Sequence, residues 1–441
     1  MTQSPSTRPG AVDVAALIDS RPLSGLQIRV VALCALVVLI DGYDIQIMSL
    51  AVPAVAEAWK IRPADFGWVL TASLAGIGLG GAFVAPLADR FGRRPLMLLG
   101  MALAGISTLA AAFSHSLTEF MVWRLITGIG IGSAQPIAAA LTADFMPLRR
   151  RAWLVTLMFC NVALGAVVAG FTAPPAMAAM GWRGLFIVGA VATLGLWVVL
   201  WFALPESLRF LVARRPGHKG VAASLAHIAP EVDPANVTIA PELKVRRSVL
   251  DLLSRELRAR TLVIWTIYTI NVFVVYLLIS WLPTLLRQAG WPADQASRGA
   301  VLFQAGGVVG GLLLSSQIDR GRATAALLFG YGLAAAAFFG LGLVAPGFWV
   351  WGGLMLLIGL GLAGAQFVLI ALAAAFYPTT IRATGVGWAG TVSRIGAVAA
   401  PLFGVWAMQI ATPLQVLQMM ILPIAFCAAL ALVIRPSWRT N

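Results

Sequence analysis

Charge is scarce in this chain. Of its 441 residues only 11% are Asp, Glu, Lys or Arg, while 60% are apolar and the mean hydropathy is +0.90. Soluble domains hold about 25% charged residues, so the chain has too little polar surface to cover a water-soluble globule. Acids are the scarcer sign, 17 against 31 bases, and the resulting net charge of +14 would suggest nucleic-acid binding only in a soluble protein. In so apolar a chain the excess base belongs in loops on the cytoplasmic side of a membrane, and no nucleic-acid partner is expected. Cysteine and histidine are nearly missing too. Cys34, Cys160 and Cys427 lie far apart inside apolar runs, and His115, His218 and His227 fall in loops or at loop ends. This excludes a disulfide framework and a metal site, and no cofactor is expected. The polar first 25 residues lack the short apolar core of a secretory leader, so the first long apolar run should itself direct insertion.

What the chain has in abundance is long apolar runs. Twelve are long enough to cross a bilayer as helices, which takes about 20 residues. They cover roughly 28–53, 66–88, 95–113, 118–141, 153–176 and 184–204, then 261–286, 298–318, 324–343, 348–371, 384–409 and 414–434. One long polar stretch interrupts them, 205–260, and it is dense in Arg and Lys. The pattern predicts a cytoplasmic tail over 1–27, a six-helix bundle over 28–204 and a cytoplasmic loop over 205–260. A second six-helix bundle over 261–434 and a cytoplasmic tail over 435–441 follow. The short loops agree: Arg90, Arg93 and Arg94, then Arg149 to Arg151, then Arg320 and Arg322, then Arg382 fall on one side, while the opposite loops hold few bases. Residues 249–257 alternate apolar and charged side chains at helical spacing, which predicts a helix lying along the membrane surface or an ordinary solvated one.

The first run differs from the rest in holding two carboxylates near its middle, Asp41 and Asp44. An acid at that depth costs at least ~2.5–3.5 kcal/mol and marks a functional site by default. The i, i+3 spacing puts both on one helix face, and Gly42 between them leaves room for a close neighbour or a ligand. Two carboxylates so placed resist ionising together, which suits a proton carrier; the plainer reading is that they serve helix packing. Arg124 in the fourth run and Arg394 in the eleventh are buried in the same way, and Arg suits a bidentate grip on a carboxylate. Arg124 would hold a substrate anion or neutralise Asp41 or Asp44. Arg394 has no membrane acid in its own half, which favours the anion.

The two halves repeat one another. GIGIGSAQ at 128–135 is matched by GLGLAGAQ at 359–366, and FMPLRRRA at 145–152 by FYPTTIRA at 376–383, both 231 residues on. LADR at 87–90 is matched by QIDR at 317–320, at one residue less. The halves therefore share one membrane orientation, and transporters built this way hold their substrate near the midplane between the repeats. The glycine runs in these blocks lie in apolar spans with no strand before them, so they read as helix-packing positions rather than nucleotide loops. APLADRFGRRP at 85–95 resembles the signature loop of the major facilitator superfamily, with Ala85 where Gly is usual, and SQIDRGR at 316–322 is a degenerate second copy. DGYD at 41–44, LPESLRFL at 204–211 and FYPTTIRATGVGWAGTVSRIGAVAAP at 376–401 resemble the aromatic acid:proton symporters of that superfamily. The likeness covers essentially the whole membrane part. Asp144 stands where that family is expected to carry Glu.

The resemblance implies an all-α membrane protein of the major facilitator fold, with twelve transmembrane helices in two parallel-repeat six-helix bundles around a central cavity. It implies import of a small aromatic carboxylate with protons by alternating access. Asp41 and Asp44 are then expected to carry the proton, and Arg124 and Arg394 to recognise the anion. Tyr43, Tyr276 and Trp388, with Phe273 and Trp281, are candidates for the wall around the ring. Gln135, Asn271 and Gln366 would bond ring hydroxyls or bridge helices. Asp89, Arg90, Arg93, Arg94, Asp144, Arg151, Asp319, Arg320 and Arg382 are expected to form a cytoplasmic gate. The expected setting is a bacterial inner membrane with both termini cytoplasmic, and the expected working unit is a monomer. No nucleophile, base and orienting group converge, so no enzyme is expected. Alternatives are uptake of a sugar, a polyol or another organic acid, drug export, or a transporter-like chemoreceptor for aromatic acids. Against two of them, the seventh run lacks the Gln-Gln-x-Ser-Gly pattern of sugar porters and the fifth lacks the Gly-Pro-rich motif of exporters.

Overall fold

The structure, a computed structural model, describes residues 12–214, 217–238, 249–319, 321–345, 347–377 and 381–434. Twelve of its helices are long and apolar enough to cross a membrane. The first half holds α1 (Gly25–Trp59), α2 (Pro63–Phe91), α3 (Arg93–Ala112), α4 (Leu117–Phe145), α5 (Leu148–Met180) and α6 (Trp182–Ala203). The second holds α7 (Arg258–Gln288), α8 (Ala293–Asp319) and α9 (Ala323–Leu341). It continues with α10 (Phe348–Ile358, a π-helical turn Gly359–Ala363, then Gly364–Phe376), α11 (Arg382–Ile410) and α12 (Pro413–Leu432). Most of these helices run past the apolar runs that predict them, because their ends continue into polar, capped turns. At the start of α1, Ser24 and Gln27 cap one another reciprocally, and at its end Lys60 closes the helix in the left-handed region at φ 55°. Inside a membrane each backbone N–H and C=O must be satisfied within the segment, so helices are the form such runs take.

The sequence repeat is a repeat of packing. In the first half α1 packs on α5, α2 on α4 and α3 on α6; in the second α7 packs on α11, α8 on α10 and α9 on α12. The halves meet where α1 faces α7, α2 faces α11 and α5 faces α8. The close approaches across this seam cluster at the end away from the basic loops. Gly67 of α2 sits under Val405 and Pro401, Thr71 donates to the Val398 carbonyl at 3.4 Å, and Gly170 of α5 meets Val301 of α8. Glu57 and Arg287 lie 3.9 Å apart at the same end. A 430 Å³ pocket there is walled by the ends of α1 and α7.

The opposite end carries a small layer that the sequence does not announce. A helix over Val14–Asp19 shares an apolar cluster with helices Leu208–Arg214 and Lys219–Ile228 of the central loop. Val12–Asp13 pairs in parallel with Val237–Thr238, Arg21 forms an ion pair with Glu231, and Asp19 accepts from the Leu148 amide at 2.6 Å. Two-residue strands 225 positions apart have no periodicity to detect. The expected helix over 249–257 is instead a short 3-10 turn, Val249–Leu253, whose Leu252 carbonyl is held by Thr261 at 2.8 Å. Leu252 is buried, while Leu253 is 40% exposed.

Candidate functional site

The azimuth of α1 is set by how closely α5 approaches it. A Cβ on Gly42 would come within 1.8 Å of the Val162 carbonyl, and one on Gly165 within 2.0 Å of the Leu39 carbonyl. The room left by Gly42 is thus filled by a neighbouring backbone. With that side of α1 taken, Asp41 and Asp44 reach α4, where each finds a different partner.

Asp44 is engaged by Arg124 in a two-pronged ion pair, Nη1 to Oδ1 at 2.8 Å and Nη2 to Oδ2 at 2.5 Å. Nη2 also donates to Ser73 Oγ of α2 at 3.3 Å, and the guanidinium lies 5.8 Å from the Phe186 ring centre. Arg124 is fully buried. Of the two readings open for Arg124, neutralising an acid is the one the geometry displays. Breaking such a pair from one side costs ~3–5 kcal/mol, because the other charge is left in a poor solvent.

Asp41 has no such cation in contact among the described residues. Its Oδ2 accepts from Gln135 Nε2 at 2.9 Å, and its Oδ1 has no hydrogen-bond partner among the described residues. Asp41 does lie within electrostatic reach of Arg394 on α11, across the seam between the halves. The same guanidinium acts on Tyr268 and Tyr276 of α7, and Tyr276 in turn feels Asp41. No hydrogen bond or ion pair holds Arg394 among the described residues. Asp41, Tyr276 and Arg394 thus interact electrostatically across the seam, and Gln135 bonds the acid.

The remaining candidates divide. Asn271 is buried on α7 with both amide atoms unpartnered among the described residues, and Gln366 is half-buried on α10 just after the π-helical turn. Tyr43 turns into the first bundle: its hydroxyl accepts from Thr172 at 3.2 Å and its ring edge packs over Gly189, so it fills the bundle rather than lining a wall. Trp388 is 40% exposed and shares a stripe of α11 with Ile395 and Trp406, one helix face away from Arg394. Trp281 donates to the Pro401 carbonyl at 3.0 Å, and Phe273 meets the Phe403 ring edge-on at 5.2 Å; both clamp α7 on α11.

At the basic end, Arg93 is the hub. It forms an ion pair with Asp144, lies 3.5 Å from Asp89 and donates to Ser207 Oγ at 2.8 Å. The amides of Arg93 and Arg94 donate to Glu206, and Arg94 Nη2 donates to the Trp201 carbonyl. Asp144 thus pairs with Arg93, and Arg151 donates to the Met146 carbonyl at 3.4 Å. Arg90 is exposed over the Phe91 ring. This network ties α3, α4 and the end of α6 within one half. Glu206 and Ser207 belong to it, and their motif LPESLRFL is the available signal, visible in the sequence without its purpose. Asp319 closes α8 and Arg382 opens α11, and Arg320 lies outside the described residues.

Two like bundles that meet at one end, with charges buried between their helices, have the build of a secondary transporter. The chain belongs to the Major Facilitator Superfamily, whose sequence pattern matches residues 34–401 and 264–438. That is a family of transporters, not enzymes. The chain is 37% identical to the 4-hydroxybenzoate transporter PcaK of Pseudomonas aeruginosa, over 96% of this chain and 95% of the relative. It is 33% identical to a gallate transporter of Pseudomonas putida, over 96% and 94%. Among solved structures, the inward-open xylose transporter XylE from E. coli superposes with a TM-score of 0.71 at 18% identity, over 91% of this chain and 95% of that one, and shares the fold.

Proposed function

We propose that this transporter imports a small aromatic carboxylate of the benzoate and hydroxybenzoate type together with protons, across a bacterial inner membrane. The observation that carries the reading is the unequal treatment of the two acids of α1. Asp44 is locked to Arg124 and forms a neutral unit. Asp41 keeps one oxygen unpartnered and faces Arg394, which has no contact partner of its own among the described residues. Arg394 is then the group that grips the substrate carboxylate, and Asp41 is the group that loads and unloads the proton. Substrate on Arg394 removes the positive charge that Asp41 otherwise faces, so anion and proton arrive as a coupled pair. The wall around the ring is assigned to Tyr276 and Tyr268. The relatives named for 4-hydroxybenzoate and gallate support the substrate class.

The energetics favour a proton partner. A monoanion entering a negative-inside cell works against ~2.3 kcal/mol per 100 mV, and one proton cancels that term and adds the pH gradient. In this reading the bundles 28–204 and 261–434 rock about the midplane site, and the loop 205–260 and both termini lie in the cytoplasm. The seam closed at the end away from the basic loops then makes this an inward-facing arrangement. One chain supplies the whole site, so the monomer is the working unit.

The test is uptake of labelled 4-hydroxybenzoate, protocatechuate and benzoate in cells expressing the protein, with and without an uncoupler. Accumulation that collapses with the proton gradient is the expected result. Uptake untouched by the uncoupler, or full accumulation by Asp41→Asn, sinks the mechanism.

A further inference from the structure

The end of the seam away from the basic loops holds more than packing contacts. The 430 Å³ pocket there is walled from both halves, by Pro53 and Glu57 of α1, Lys60 and Ile61 just beyond it, and Thr284 and Arg287 of α7. Thr284 and Arg287 stand three residues apart near the end of α7, which puts them on one helix face. Two bases and one acid line the space, so its charge is positive.

The acid holds the bases only loosely. Glu57 stands 3.9 Å from Arg287, beyond hydrogen-bond reach, and the two side chains are 78% and 35% exposed. Exposed pairs of this kind are weak, and a better-placed carboxylate can replace one. Thr284 gives a second, independent sign of an unfilled site. It is 1% exposed, and its hydroxyl has no partner among the described residues. A buried hydroxyl is nearly always satisfied by protein, water or a ligand. Arg287 and Pro53 also border an adjoining 320 Å³ pocket that reaches α5 and α8, so protein does not fill the space around the arginine.

The lining selects a class of ligand. Arg suits a two-pronged grip on a carboxylate, and Lys60 adds a second positive charge. Pro53 and Ile61 supply an apolar wall, and no aromatic side chain is among the described lining residues. Such a wall accepts an apolar body without demanding a flat ring.

We propose that this pocket is an outer binding site for small carboxylates with an apolar body, alicyclic as well as aromatic. It is separate from Asp41 and Arg394, neither of which lines it. The ligand takes Arg287 from Glu57, accepts from Thr284 and lays its body on Pro53 and Ile61. Because Glu57 belongs to α1 and Arg287 to α7, an occupied site loosens one tie between the halves. That the pocket faces outward rests on the transport reading above; the binding itself does not.

The test is saturation-transfer NMR on the purified full chain in detergent, with benzoate and cyclohexanecarboxylate as probes. Arg394→Leu removes the inner grip on a carboxylate and leaves the outer site. In that background both probes should still bind, with affinities within about twofold of each other. Adding Arg287→Gln should weaken both about fivefold. Adding Glu57→Gln, which removes the competing acid, should tighten both by about two- to fivefold, a gain that a purely structural Glu57 would not give. Binding that ignores both Arg287→Gln and Lys60→Gln overturns the site. Displacement of the probes by equimolar inorganic phosphate overturns it too, because the pocket would then attract any anion. If Arg287→Gln does not fold, Lys60→Gln, at an exposed position, decides. Loss of all binding in Arg394→Leu, while wild-type cells take up 4-hydroxybenzoate, overturns the outer site and spares the transport reading. Absent wild-type uptake with binding retained in Arg394→Leu does the reverse.

Discussion

The two halves of the molecule share a plan and divide the charge unequally. In the first, α1 and α4 face one another with Asp44 and Arg124 joined and fully enclosed. At the matching positions of the second half stand Val274 and Met355, both fully buried. Where one repeat holds an ion pair, the other holds two buried apolar side chains. That is the behaviour expected of a buried salt bridge, which well-packed apolar side chains of similar volume can replace together but not singly. The neighbouring position varies in a different way. Asp41 and Asn271 are nearly the same shape, yet one can carry a proton and the other only hydrogen bonds. In the reading proposed here the first half holds charge that changes, and the second, with Arg394, holds a charge that stays. In the proposal above this is the division between proton and substrate.

Four tests break or sharpen that comparison, and they fall in a clear order of size. The largest effect is expected at Asp41. Asp41→Asn makes the two halves alike at this position and should reduce proton-driven accumulation to background while exchange of labelled for unlabelled substrate across the membrane persists; counterflow in vesicles checks it. Next comes the enclosed pair. Arg124→Met alone should destabilise the protein by ~3–5 kcal/mol, and Asp44→Val with Arg124→Met, which copies the second half, should recover most of that loss. Thermal unfolding in detergent measures both. Transport by the double variant would separate Arg124 from substrate binding, whereas a stable but inactive one would return it to the site. Arg394→Lys keeps the charge and removes the planar fork, so KM for the aromatic acid should rise about tenfold with membrane abundance unchanged. The smallest effect belongs to the end network, where Ser207→Ala removes one neutral donor beside Arg93 and Asp144. It should cost ~1 kcal/mol in unfolding and slow turnover without altering substrate preference.

Much of the architecture is legible in the sequence. Twelve apolar runs become twelve helices because hydropathy is a local property and a bilayer admits few other forms. The repeat carried by three short blocks reappears as paired helix contacts. The mid-membrane residues worth attention, Asp41, Asp44, Arg124 and Arg394, are visible as charges where charge is costly. Other features are not legible. Tyr43 and Trp388 look alike as aromatic residues in spans, yet one packs against Gly189 and the other lies on an exposed stripe. Glu206 and Ser207 stand in a motif whose partners lie 63 to 114 residues earlier, at the start of α3 and the end of α4. The pairing of the N-terminal strand with the central loop leaves no trace in composition.

By itself, then, the sequence determined the number of spans, their common orientation in two repeats and the short list of buried charges. Each of these follows from the transfer cost of a segment or a residue taken alone. Only the tertiary structure decided which acid is locked and which is open. Asp41 and Asp44 occupy one helix face three residues apart, and no local rule tells them apart. Their difference comes from the contact of α1 with α5 at Gly42, which sets the rotation of the helix and brings Asp44 to an arginine 80 residues away while leaving Asp41 with Gln135 and one oxygen unpartnered among the described residues.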